Sequence, residues 1–219
     1  MNTLEKLQND LSQWYESSSI RQFMHWWKTE LKSFVPKKYQ EKLFPQSILV
    51  LLTQNGEEIK VWCQKGQNLS LYEDAKNEAG EQEDWWHQVQ HIINKAEGQN
   101  VVVKYLLAND EALVRKIDLP QAAKENLEEV IGYELDQYVP FSAEQVQLGY
   151  KIDKQNSNED KLWLDLAVIP KEKVTQVINM FDEKTVALDA IDVNLTQDAE
   201  KEAPSFLGIN LLPKDKRKA

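Results

Sequence analysis

The chain has 219 residues, a formal net charge of −10 and a pI near 4.9, a balance that excludes nucleic acid as its main partner because phosphate binding needs a cationic surface. A hydrophobic content of 42%, with seven Trp, seven Tyr and six Phe, suffices for one large folded domain or two small ones. Cys63 is the single cysteine, so no intrachain disulfide can form.

Charge is unevenly spread. Arg21, Lys28, Lys32, Lys37, Lys38 and Lys42 make a basic start, Lys214, Lys216, Arg217 and Lys218 a basic end, and the body between them is acidic. That distribution fits an anionic membrane surface or acidic partners. No secretory signal is visible, since Glu5, Lys6, Gln8, Asn9 and Asp10 interrupt the apolar residues from Leu4 to Trp14.

In chain order, residues 1–45 read as an amphipathic helical segment. Ile20, Phe23, Met24, Trp27, Leu31 and Phe34 form one apolar stripe, after a capping run at Ser17–Ser19. Ile48–Thr53 and Glu58–Cys63 flank Asn55-Gly56, a hairpin signal, and Asn68–Tyr72 can add a third strand. Glu73–Glu83 is a polar loop, Asp84–Ala96 a helix ended by Gly98, and Val101–Leu107 a β-branched buried strand. Val114–Leu119 is extended, and Pro120 is placed to open a long helix that Val139-Pro140 stops. Val146–Asp153 and Lys161–Ile169 form a second hairpin, Pro170 opens a helix to about Phe181, and Thr185–Val193 is a last strand. Asn194–Ser205 is a polar linker before the apolar Phe206–Pro213. The order, βββαβ then ββαβ, predicts an α/β fold with mixed sheets built from two related halves.

Two stretches carry a resemblance to a known family. Leu119-Pro120, Glu125-Asn126-Leu127, Glu134, Asp136, Pro140-Phe141 and Val146 resemble the signature of the cytoplasmic part of GspL/PilN-type inner-membrane assembly-platform proteins. Ile209-Asn210-Leu211-Leu212-Pro213, followed by basic residues, is similar to the INLLP motif that PilN-type proteins carry just before their membrane helix. The Trp-rich start, Phe23–Leu31, also resembles the leader of the longer members. The resemblance implies an actin-like (ribonuclease H-like) fold that is degenerate as an ATPase, with an N-terminal helical extension. It divides the chain into the helical segment 1–45, an actin-like domain of two related halves at 46–194, and a linker with the INLLP motif and basic tail at 195–219. It further implies a non-catalytic scaffold of a type II secretion or type IV pilus system, on the cytoplasmic face of the bacterial inner membrane. The partners so implied are a cytoplasmic secretion or pilus ATPase, other inner-membrane platform proteins and a second copy of the chain. The longest aliphatic run, Ile48–Leu52, is far short of the roughly 20 residues of a spanning helix, so the anchor is expected beyond Ala219.

The residues can be weighed against catalysis directly. The first hairpin has no Asp, and its one Gly is accounted for by the turn; no GxxxxGK[ST] or GxGxxG occurs. No cofactor is expected, and a nucleotide-binding actin-like ATPase is the alternative. Glu83, His87 and His91 share helical spacing that suits a metal, but a solvated polar stripe explains them and no metal is expected. Glu125, Glu128, Glu129, Glu134 and Asp136 make the long helix acidic, a solvated face that could also meet a basic partner. Candidate partner-binding residues are the docking motif Ile209, Asn210, Leu211, Leu212 and Pro213, in cis or on another molecule, and the Trp pairs at Trp26 and Trp85, where one ring of each is core and the other an interface anchor.

Overall fold

The structure, a computed structural model, describes residues 47–217 except 57, 67, 74–83, 97, 140–141 and 197–202. The predicted N-terminal helical segment, with Trp26 and its apolar stripe, lies outside the described residues, as does Glu83.

Among the described residues, eight strands and three α-helices follow one another: β1 (Ile48–Asn55), β2 (Glu58–Lys65), β3 (Asn68–Leu71), α1 (Trp85–Lys95), β4 (Val101–Leu107), β5 (Leu113–Pro120), α2 (Leu127–Tyr138), β6 (Val146–Ile152), β7 (Lys161–Pro170), α3 (Lys171–Glu183) and β8 (Ala190–Val193). They make a five-stranded sheet in the order β3-β2-β1-β4-β8 and a three-stranded sheet in the order β5-β7-β6. The β1–β2 turn falls at Asn55-Gly56, with Gly56 at φ 62°. β2 continues antiparallel to β3, whereas β1 runs parallel to β4, and β4 parallel to β8. An antiparallel meander extended by parallel strands is the arrangement of an actin-like (ribonuclease H-like) sheet. The chain is thus a mixed-sheet α/β protein.

Alternation places Ile48, Val50 and Leu52 of β1 and Val103, Tyr105 and Leu107 of β4 on one face of the large sheet. Val89 and Ile92 of α1 and Val174, Val177 and Phe181 of α3 cover that face. A second core joins Ile117, Leu119, Leu162, Leu164 and Leu166 of the small sheet to Leu127, Ile131 and Leu135 of α2. Each of these helices presents its apolar residues at three- and four-residue spacing, and that spacing aims them at a sheet.

Two element boundaries and one strand pairing differ from the sequence reading. Pro120 ends β5 in an extended conformation (ψ 143°) instead of opening a helix. A 3-10 stretch, Gln121–Asn126, then precedes α2, which begins after Asn126 leaves helical geometry at φ −130°. A proline φ suits a strand end as well as a first helical turn. The last strand is confined to Ala190–Val193, because Thr185 takes φ 53° and closes α3. The Thr185 N–H donates to the Asp182 carbonyl and the Val186 N–H to the Phe181 carbonyl, a Schellman ending without its usual glycine. Finally, β8 hydrogen-bonds to β4 of the large sheet, so the second hairpin does not acquire it.

Candidate functional site

β8 would be an edge strand, yet all four of its residues are buried. The chain itself covers it. After Val193, the Leu195 N–H donates to the Ser205 carbonyl (2.8 Å), and the Ser205 N–H donates to Thr196 Oγ1 (2.8 Å). Asn194 bridges Phe206 in antiparallel fashion. The returning segment then runs along β8, with the Leu207 N–H on the Val193 carbonyl (3.1 Å) and the Leu211 N–H on the Ile191 carbonyl (2.8 Å). The free edge of β8 thereby finds backbone partners in the motif that the sequence singled out.

On its other side the segment meets β6. A methyl group placed on Gly149 would lie 3.1 Å from Leu211 Cδ2 and 3.4 Å from Ile209 Cδ1, so a larger residue here would push the leucine aside by a few tenths of an ångström, and glycine lets the segment approach without that shift. The Lys151 ammonium donates to the Leu207 carbonyl at 3.0 Å. Leu207, Ile209, Leu211 and Leu212 enter the large core, with Leu211 and Leu212 at 0% exposure. The tail is therefore a seam between the two sheets. The structure brings Ile209, Asn210, Leu211 and Leu212 together on the chain's own domain, with Pro213 half-buried beside them.

The polar half of the motif is equally committed. The Asn210 side-chain amide donates to the Asp189 carbonyl (3.1 Å), while its Oδ1 accepts the Leu212 N–H (3.0 Å). The Arg217 guanidinium donates to the Leu212 and Asn210 carbonyls, each at 2.9 Å. Lys214 forms an ion pair with Glu128 of α2. Part of the basic tail is thus spent within the domain, on the acidic helix that the sequence reads as a solvated face able to meet a basic partner.

At the centre of the seam lies Asp192, which the motif reading did not reach. Its side chain is wholly buried. Its carboxylate accepts the N–H of Val193 at 2.8 Å and those of Gly208 and Ile209 at 3.1 Å. Gly208, at φ 87°, turns two successive N–H groups the same way, and such a nest binds an anion. The Lys104 ammonium lies 4.0 Å from the carboxylate and 4.7 Å from the centre of the Phe206 ring. Burial pushes the Asp192 carboxyl above its ordinary pKa, and the N–H donors and Lys104 pull it partly back. A lone carboxylate within Ala190-Ile191-Asp192-Val193 was the sequence signal for this residue.

The turn end of β1 and β4 looks different. The Tyr105 hydroxyl donates to Gln54 Oε1 at 2.5 Å, and the Trp62 indole N–H to Thr53 Oγ1 at 3.1 Å. Burial, with the Glu111 charge behind it, drives the Tyr105 hydroxyl far above its ordinary pKa and keeps it a neutral donor. Glu111 accepts the Ala108 N–H (3.0 Å) and pairs with Lys173 (2.5 Å). These polar groups are occupied with one another. Of the histidines on α1, His91 shares a hydrogen bond with the Tyr72 hydroxyl at 2.8 Å, and His87 is exposed beside Trp86. Trp85 is half-buried, its ring centroid 5.0 Å from that of Phe181, and Trp86 also packs against the large core.

No helix among the described residues is long and apolar enough to cross a membrane. The family described as Type IV pilus assembly protein PilM matches residues 47–218. The chain is 29% identical over 198 residues to Type II secretion system protein L of Xanthomonas campestris pv. campestris, a match over 89% of this chain and 49% of the relative. It therefore spans about half the length of that curated relative. Among solved structures, the chain is similar to the cytoplasmic domain of EpsL, an inner-membrane component of the type II secretion system of Vibrio cholerae, at 15% identity and a TM-score of 0.42, over 66% of this chain and 56% of that one. It is also similar to a PilM-PilN type IV pilus biogenesis complex, at 18% identity and a TM-score of 0.47, over 67% of this chain and 47% of that one. The family model and the type II secretion relative bear out the resemblance to the GspL/PilN-type assembly-platform family. The chain belongs to the type IV pilus assembly protein PilM family.

Proposed function

We propose that this chain is a non-catalytic scaffold in an assembly platform of the type II secretion or type IV pilus kind, located at the cytoplasmic face of the inner membrane. The observation that carries the reading is the seam: a motif resembling the INLLP segment of PilN-type proteins is seated on a domain of the PilM family within one polypeptide. Recognition domain and docking motif are then fused, so seating needs no second chain.

The scaffold would link a cytoplasmic secretion or pilus ATPase to other inner-membrane platform proteins, with a second copy of the chain as a further partner. The half-exposed Trp85 and the acidic exposed residues of α2 are surfaces available for that work, whereas Leu211 and Leu212 serve the domain itself. The occupied polar groups at Tyr105, Gln54, Trp62 and Thr53 support the non-catalytic part of the reading, since a phosphate site needs free donors and a metal-holding carboxylate. Calorimetric titration of the full chain with Mg-ATP tests it. No heat of binding is expected at concentrations up to about 1 mM, whereas micromolar binding with phosphate release would establish the nucleotide-dependent ATPase instead.

A further inference from the structure

We propose that the Phe206–Pro213 tail is a latch linked to protonation of Asp192: it seats more firmly when this carboxyl is protonated and loosens as it ionises. The inference goes beyond the scaffold reading, which survives if the latch fails.

The latch follows from where Asp192 sits. With the tail along β8 its side chain is fully buried, and Gly208 and Ile209 are the tail residues that donate to its carboxylate. Lifting the tail removes two of its three N–H donors and opens the carboxylate to water. The nearby charges are few. From β4, Lys104 stands 4.0 Å away, the outer limit of an ion pair, and shares its ammonium with the Phe206 ring. From β6, Lys151 is directed to the Leu207 carbonyl. Ahead of β8, Asp189 Oδ2 accepts the Val103 N–H at 2.8 Å. No cation is in bidentate contact with Asp192 among the described residues, so ionisation is balanced mainly by backbone dipoles. Water offers the anion more than this site does.

The sign follows from linkage. Burial raises the Asp192 carboxyl in the seated state above its pKa in water. The seated state therefore binds the proton more tightly than the lifted one. Opening becomes easier as pH rises from the ordinary carboxylate range through the seated pKa, and levels off above it. The cost of ionisation is offset by release of the tail, so a proton at Asp192 and the tail's position are two readings of one equilibrium.

Hydrogen–deuterium exchange of the full chain between pH 4 and 8, corrected for intrinsic exchange, measures the opening constant at Leu207, Ile209, Leu211 and Leu212. The expected result is a constant that rises about fivefold or more with pH and then plateaus, while Val103 and Tyr105 in the large sheet stay protected. Asp192→Asn should flatten the pH dependence whatever its basal opening. Lys104→Gln, which removes only the neighbouring cation, should move the rise to higher pH. A wild-type constant that is flat or falls with pH overturns the proposal. So does an unchanged slope in Asp192→Asn, or tail amides that exchange only when the β4 amides do.

Discussion

The two edges of the large sheet have opposite fates. At one edge, β3 (Asn-Leu-Ser-Leu) is mostly exposed, with Leu71 at 39%. At the other, β8 (Ala-Ile-Asp-Val) is buried at every position. Both are four-residue strands of one sheet, so neither strand length nor sheet geometry explains the contrast. The tail does: it supplies backbone donors to Ile191 and Val193, and aliphatic side chains beyond them. An edge strand can carry a continuous apolar sequence, even with a carboxylate in it, when a later segment is committed to covering it.

The hardest test of this contrast removes a tail side chain and a β3 side chain separately. Leu211→Ala empties a fully buried site and should cost about 3 kcal/mol in urea denaturation. Leu71→Ala should stay within about 0.5 kcal/mol. A loss below about 1 kcal/mol for Leu211→Ala would mean that the tail is not part of the cooperative fold, and the seam would have to be abandoned.

Only one side of the contrast could be read from the sequence. The Asn55-Gly56 turn and the strands around it were legible because turn chemistry and period-two patterning are local. Val101–Leu107 was legible because six apolar residues, three of them β-branched, with one Lys admit few other readings. The motif at Ile209–Pro213 was legible as a docking segment, but its seat was not. That seat needs Gly149 of β6 and Asp192 of β8, which are distant in sequence and meet only through the sheet topology. Thr185 misled for a related reason. A β-branched residue gives no hint of a left-handed helix ending, which is imposed by the burial of Val186 beside Phe181.

A smaller effect is expected where the tail turns. Gly208 takes φ 87°, and a methyl group there would also approach Lys151 Nζ at 3.0 Å. The lysine end can move, so the cost is mainly conformational. Gly208→Ala should lose about 1–2 kcal/mol and raise exchange at Ile209 without affecting α1 or β3. If it destabilises both edges of the sheet equally, the tail and β8 do not form the separable unit that the contrast requires.

The smallest effect belongs to the outermost contact. Lys214 and Glu128 pair while 72% and 52% exposed, so water and salt screen their attraction and ordering two long side chains offsets much of the gain. Lys214→Ala should change stability by no more than about 0.5 kcal/mol, a difference that should fade as salt is added. Arg217 differs from Lys214 in its target: its guanidinium spans the Asn210 and Leu212 carbonyls, neutral acceptors inside the motif. Arg217→Ala should therefore cost more than Lys214→Ala, and the excess should persist in high salt. If the two variants instead lose equal stability and respond equally to salt, the basic end is held by its charge alone, and the seam stops at Pro213.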